Sequence, residues 1–233
     1  MTQKMSLCTP QKFAVVCGSN YSGSWRVYQS ENDAKRFEKL LRETFGYSEI
    51  RTLYGAAYTR ANVLSALQWL SAQLTHQNCS AVVYVAGHGT QTRDASGDEC
   101  DGQDENWQTN DRQLVSDDEI TAALKAAPCC QAQIALITDA CCSGSMLDLG
   151  SETRQRQWVS VGAALDYQCA LQSGDGSVCT AQLLRILECQ PLITCGELRQ
   201  KLEAAMKNSF VGELQAVSVQ WSNDTMEKAT FIK

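Results

Sequence analysis

Short apolar runs alternate along this chain with stretches in which apolar residues recur every three or four positions. The run Phe13–Cys17 is apolar throughout, closes on Gly18 and predicts a buried first strand. From Glu31 to Phe45, residues Ala34, Phe37, Leu40 and Leu41 fall at helical spacing and Gly46 ends the segment, which predicts a helix. Ile50–Tyr54 predicts a short strand, and Asn62–Leu74 a helix with Val63, Leu67, Leu70 and Leu74 on one face. AVVYVA, residues 81–86, predicts a central strand that runs straight into Gly87-His88-Gly89. An acidic stretch from Thr90 to about Ser116 reads as a loop, followed by a helix with Ile120, Ala123 and Leu124. IALIT, residues 134–138, predicts another buried strand, ending at Asp139-Ala140-Cys141. A strand over Trp158–Ala164, helices around Cys179–Leu187 and Cys195–Met206, and a strand over Ala216–Trp221 complete the order.

Alternation of strands and helices implies an α/β fold, a mainly parallel central sheet flanked by helices on both faces. The sequence has no internal repeat, and the polar stretch Ser151–Gln157 is the best candidate for an exposed linker. In open parallel sheets, ligands bind beyond the carboxyl ends of the strands. Two predicted strands end in reactive side chains, one in His88 and the next in Cys141. If those strands are neighbours, imidazole and thiol project from one rim into one crevice.

Composition narrows the field. A chain of 233 residues, 44% hydrophobic and 20% charged, can bury a full core as a single domain. The formal charge of −6 and the absence of a basic run argue against a nucleic-acid surface. No apolar stretch is long enough to span a bilayer, and the first residues lack the apolar centre of a signal peptide, so a cytoplasmic location is expected. The 12 cysteines contain no Cys-x-x-Cys pair, which disfavours structural zinc. In a reducing compartment most of them are expected to act as small buried hydrophobes.

A thiol is a weak nucleophile until it loses its proton, so a catalytic cysteine needs a base beside it. The chain has 2 histidines. His76, in LTHQN, reads as a solvated residue near a helix end; His88 stands between glycines just past a buried strand. The blocks VVYVAGHGTQ and ALITDACCSGSMLDL together resemble the active-site blocks of the caspase–hemoglobinase superfamily, and metacaspases most closely. DGQDE and VSDDEI resemble the acidic loop of that family, so the resemblance covers most of the chain. It differs from the family pattern at Cys142, where histidine is usual, at Ala86, where serine is common, and at Ser30, which is often cysteine.

The resemblance implies a caspase-like fold with a large segment at about 10–150, a linker at 151–157 and a small segment at 158–233. It makes Cys141 the nucleophile, His88 its proton-transfer partner, and the N–H groups of Gly89 and Cys141 the oxyanion donors. Metacaspases cleave protein and peptide substrates after arginine or lysine, which needs buried negative charge in the first specificity pocket. Resemblance places that charge at Asp33 and Asp139, with Ser30 and Asp166 bordering the pocket. The stretch from Asp94 to Glu119, which includes Asp98, is dense in carboxylates yet does not fit an EF-hand register. The family's calcium ligands map onto Asp104, Asp117, Asp118 and Asp148, so Ca2+ is the implied cofactor. Arg154 and Arg156 in the linker are sites at which such an enzyme could cut itself, and a monomer is the implied state. Three rivals stand beside this reading: a catalytically silent calcium-binding or partner-binding scaffold, a caspase-fold peptidase with another pocket specificity, and a redox sensor using Cys141-Cys142.

Overall fold

The computed structural model describes residues 10–94, 96, 97, 99 and 101–233. Asp98, one of the acidic-stretch carboxylates, lies outside the described residues. In chain order the elements are β1 (Gln11–Gly18), α1 (Ser30–Glu43), β2 (Glu49–Tyr54), α2 (Arg60–Gln73), β3 (Cys79–Ala86), β4 (His88–Arg93), β5 (Gln103–Gln108) and β6 (Leu114–Ser116). They continue with α3 (Asp117–Lys125), β7 (Gln133–Asp139), β8 (Gln157–Gly162), β9 (Gln172–Ser173), β10 (Gly176–Ser177), α4 (Val178–Cys189), α5 (Cys195–Lys207) and β11 (Ser218–Trp221).

Six strands form one sheet in the order β11-β8-β7-β3-β1-β2. Every pairing from β8 to β2 is parallel, and only β11 runs antiparallel at its edge. Central strands buried on both faces read as unbroken apolar runs, which is why β1, β3 and β7 were legible without alternation. Their residues nevertheless divide by the pleat. Ala14, Val16, Val82, Tyr84, Ala135 and Ile137 pack with α1, α4 and α5 residues on one face. Phe13, Val15, Val83, Val85, Ile134 and Leu136 pack with α2 and α3 residues on the other. Among the described residues no helix is long and apolar enough to cross a membrane.

Three expectations need correction. The acidic stretch is not a plain loop: β4, β5 and β6 form a second, antiparallel three-stranded sheet. Trp107, on the middle strand, is fully buried and donates from Nε1 to Thr138 Oγ1 at 3.1 Å, tying this sheet to β7. Its carboxylates hid the strand because charge, not apolar alternation, dominates those positions. Ser151–Gln157 is not fully exposed either. Thr153 is buried, Arg156 donates to the Lys125 carbonyl at 2.6 Å, and Asn223 Nδ2 donates to the carbonyls of Arg154 and Arg156 at 3.1 and 2.7 Å. Lastly, of the described cysteines only Cys17, Cys79, Cys179 and Cys195 are buried. Cys129, Cys141 and Cys142 are half-buried, Cys129 against the core, and Cys130, Cys169 and Cys189 are exposed.

Candidate active site

β3 and β7 are neighbours in register, with Ala86 opposite Asp139. His88 and Cys141 each lie two residues beyond that last rung, so both leave the sheet at one carboxyl-end rim. The Gly87 N–H donates to the Asp139 carbonyl at 3.1 Å and holds the two exits together. Gly89 explains how close they come: a Cβ there would lie 2.0 Å from the Cys141 carbonyl oxygen, so only glycine fits.

His88 opens β4 and is held from below by the segment that follows β1. Its N–H donates to the Tyr21 hydroxyl at 3.0 Å, and that hydroxyl donates to the Gln108 carbonyl at 2.5 Å. Nε2 lies 2.7 Å from the Trp25 carbonyl. A carbonyl can only accept, so Nε2 carries a proton, which in the neutral tautomer leaves Nδ1 as the acceptor. The rings of Tyr21 and Trp25 stand 4.6 and 5.9 Å from the imidazole, centroid to centroid. Sequence reading missed this wall, because GSNYSGSW has no periodicity. Its place follows only from strand order: β1 lies beside β3, so the loop after β1 opens on the same rim. His76, by contrast, sits before the far end of β3, half-buried with Nε2 3.4 Å from Cys79 Sγ, rather than solvated.

Cys141 is half-buried, and burial pushes its thiol up to about 11. The neighbouring thiols of Cys169 and Cys142 push the same way, while an N–H from Ala170 opposes them. Among the described residues no hydrogen bond joins His88 to Cys141. The resting Cys141 is therefore held as a thiol rather than as a preformed thiolate. Cys142 adopts a left-handed backbone (φ 48°) and donates its N–H to the Gln168 carbonyl at 3.1 Å.

Asp33 and Asp139 come together at the N-terminus of α4. Ser177 joins them, donating its N–H to Asp33 Oδ2 and its hydroxyl to Asp139 Oδ1, both at 2.8 Å. Asp139 also accepts the Thr180 N–H at 3.2 Å and the Thr180 hydroxyl, so it caps α4 where Ser177 does not. Burial raises both carboxyls, Asp33 to about 7, with the Ser177 N–H and the Arg36 guanidinium pulling it back. Arg36 reaches Asp33 Oδ1 at 3.3 Å. Gly176 lets the chain pass over Asp33, since its φ of 124° and a Cβ 2.4 Å from Oδ1 would both exclude other residues. Ser30 is buried nearby and accepts from Gln172 Nε2 at 2.9 Å. Asp166 is elsewhere: its carboxylate abuts Gly144 and accepts the Ser145 N–H at 3.0 Å, under the nucleophile turn.

The acidic residues also sort themselves. Carboxylate oxygens of Glu99, Glu105 and Asp117 lie within 4.8 Å of one another. Of the four implied ligands only Asp117 belongs to that group; Asp148 is near enough to raise it, and Asp104 is buried on β5. Burial, with Asp148 and Glu105 adding to it, pushes Asp117 up to about 8. Burial raises Glu105 as well. A cluster of oxygen donors that disfavours its own ionisation fits a hard divalent cation such as Ca2+. Glu105 also accepts the Ser145 hydroxyl, which links this cluster to the turn carrying Cys141.

The caspase domain family matches residues 11–228. Metacaspase-1 of Cryptococcus neoformans is 37% identical over 158 residues, 62% of this chain and 34% of that protein. Metacaspase-3 of Arabidopsis thaliana is 34% identical over 151 residues, 60% of this chain and 41% of that protein. The chain thus spans well under half the length of these curated relatives. The crystal structure of a Geobacter sulfurreducens protein superposes with a TM-score of 0.74 at 20% identity, covering 95% of this chain and 98% of that one, a likeness of fold alone.

Proposed function

Since the chain belongs to the caspase-domain family, we propose that it is a cysteine endopeptidase in which Cys141 attacks the scissile carbonyl and His88 moves the proton. The observation that carries this reading is the shared register of β3 and β7, which brings both residues to one rim. Because burial keeps the thiol at about 11, the thiolate is scarce at neutral pH without a partner. His88 Nδ1 takes the proton as substrate enters; the sulfur adds to the carbonyl; His88 then protonates the leaving amine. Water hydrolyses the thioester. The N–H groups of Gly89 and Cys141 receive the oxyanion, each contributing about 3 kcal/mol by the scale of other proteases.

Specificity for arginine or lysine rests on Asp33 and Asp139. Asp33 is fully buried and already accepts one guanidinium, that of Arg36, so a substrate side chain would take the place of Arg36 at the same acceptor. Asp139 is spoken for by α4 and acts as the fixed wall behind it. Asp117 with Glu105 and Glu99, and with Asp104, Asp118 and Asp148 in the same acidic segment and turn, would hold calcium, which would supply a positive charge to this buried cluster. Its binding bears on the site through Glu105 and Ser145. Self-cleavage after Arg154 is compatible with that residue's exposure, whereas Arg156 is anchored on Lys125 and over the Trp158 ring. The natural form is taken to be a cytoplasmic monomer.

The test is hydrolysis of short peptides ending in arginine, lysine or aspartate before a reporter amine, with calcium and with chelator. Turnover of the basic peptides only, dependent on calcium and absent in Cys141→Ala, is the expected result. Equal rates in chelator reject the calcium reading; turnover of the aspartate peptide rejects the pocket; turnover by Cys141→Ala rejects the dyad.

A further inference from the structure

The turn after Cys141 lies against the segment that follows β8, and the two are fastened at several points. Ser145 N–H donates to Asp166 at 3.0 Å, and Cys142 N–H donates to the Gln168 carbonyl at 3.1 Å. Gln168 is itself pinned: its N–H donates to the Leu165 carbonyl at 2.8 Å, and its side-chain oxygen accepts the Ala216 N–H at 2.9 Å. The next residue is Cys169, and the one after it, Ala170, turns its N–H to the Cys141 sulfur. Cys169 is thereby held between two residues that grip Cys141 and Cys142, and its thiol is exposed. The peptidase chemistry above makes no use of it.

We propose that Cys169 is a redox partner of Cys141, and that a reversible disulfide between them closes the site. Its consequence for activity rests on the peptidase reading; the bond itself does not. Hydrogen peroxide meets the exposed Cys169 first. The sulfur displaces one peroxide oxygen, giving Cys169 sulfenic acid and water. Cys141 then loses its proton and attacks that sulfur; hydroxide leaves and takes a proton as a second water. The two thiols together give up two electrons, and the peroxide accepts them. A dithiol reductant reverses the step through a mixed disulfide. With its sulfur bonded to Cys169, Cys141 cannot form the thiolate that attacks a peptide carbonyl. Cys142 is the weaker partner, since neighbouring residues in one chain seldom meet the separation and dihedral angle that a disulfide prefers.

The experiment treats the whole chain with hydrogen peroxide, blocks free thiols, and maps cross-linked peptides by mass spectrometry beside a peptidase assay. Wild type is expected to yield a Cys141–Cys169 cross-link, lose activity, and regain it with dithiothreitol. Cys142→Ser is expected to keep the same cross-link. Cys169→Ser is expected to start fully active and then lose activity that dithiothreitol does not restore, because Cys141 proceeds to sulfinic acid. Absence of the cross-link, pairing of Cys141 with Cys142, or full recovery of Cys169→Ser overturns the proposal. A chain inactive before oxidation would count against the peptidase reading, and the cross-link map would still decide this one.

Discussion

Two groups of buried carboxylates flank the nucleophile, and they are answered differently. Asp33 and Asp139 face the start of α4, where Ser177 and Thr180 turn their N–H and O–H groups inward, and Arg36 adds a positive charge. Glu105 and Asp117 accept only neutral donors: Ser145 and Gln91 for Glu105, the Glu105 and Asp118 N–H groups for Asp117. Among the described residues no lysine or arginine pairs with either. Desolvation penalises charge in both places. In the first the chain supplies a positive charge as well as neutral donors; in the second it supplies neutral donors alone. The contrast is what the proposed roles of the two groups, guanidinium recognition and calcium binding, rest on.

The largest effect is expected at the better-satisfied group. Asp139→Ala strands the Ser177 hydroxyl and both Thr180 donors at the α4 terminus, at a cost of about 3 kcal/mol or more, read as a lowered denaturation midpoint. If that midpoint barely moves, the carboxylate is not the cap described here. Asp117→Asn should act in the opposite direction. With chelator present it removes the cost of burying a carboxyl that must take up a proton on folding, and stabilises by about 1 kcal/mol, while any gain in stability from added calcium should be lost. A calcium response that survives the substitution would place the ion elsewhere.

The pH dependence carries a definite sign. Asp33 and Asp117 hold their protons to about 7 and about 8 in the folded state, whereas unfolded aspartates release theirs near about 4. Their contribution to stability is therefore full below about 4 and is lost as pH rises through 7 to 8. Thermal unfolding across that range in chelator should show the decline, and calcium should flatten the part due to Asp117. A rise in stability over the same window would contradict the assignment. The smallest effect belongs to Ser145→Ala, which removes the hydroxyl between Glu105 and the nucleophile turn. Stability should change by about 1 kcal/mol or less, but the ratio of rates with and without calcium should shrink; an unchanged ratio would uncouple the two sites.

The sequence disclosed those parts of the molecule that rest on apolar continuity. β1, β3 and β7 are short runs buried on both faces, so their existence, and the exits at His88 and Cys141, followed from hydrophobicity and two glycines. The second sheet escaped because β5 carries Asp104, Glu105 and Asn106 at buried positions. Burial of charge is set by tertiary surroundings, and no local pattern announces it. Tyr21 and Trp25 escaped for a related reason: their role comes from strand order, with β1 beside β3. Asp33 and Asp139 were named as pocket residues, yet their shared tie to Ser177 at the head of α4 joins chain positions too distant for spacing to reveal.

The dyad itself is tested most directly by a covalent probe, a peptide ending in arginine and carrying an electrophilic ketone. After incubation with calcium, digestion and fragmentation should place one adduct on Cys141 rather than on Cys142 beside it, with labelling much slower in His88→Ala. An adduct on Cys142, or labelling indifferent to His88, would contradict the account.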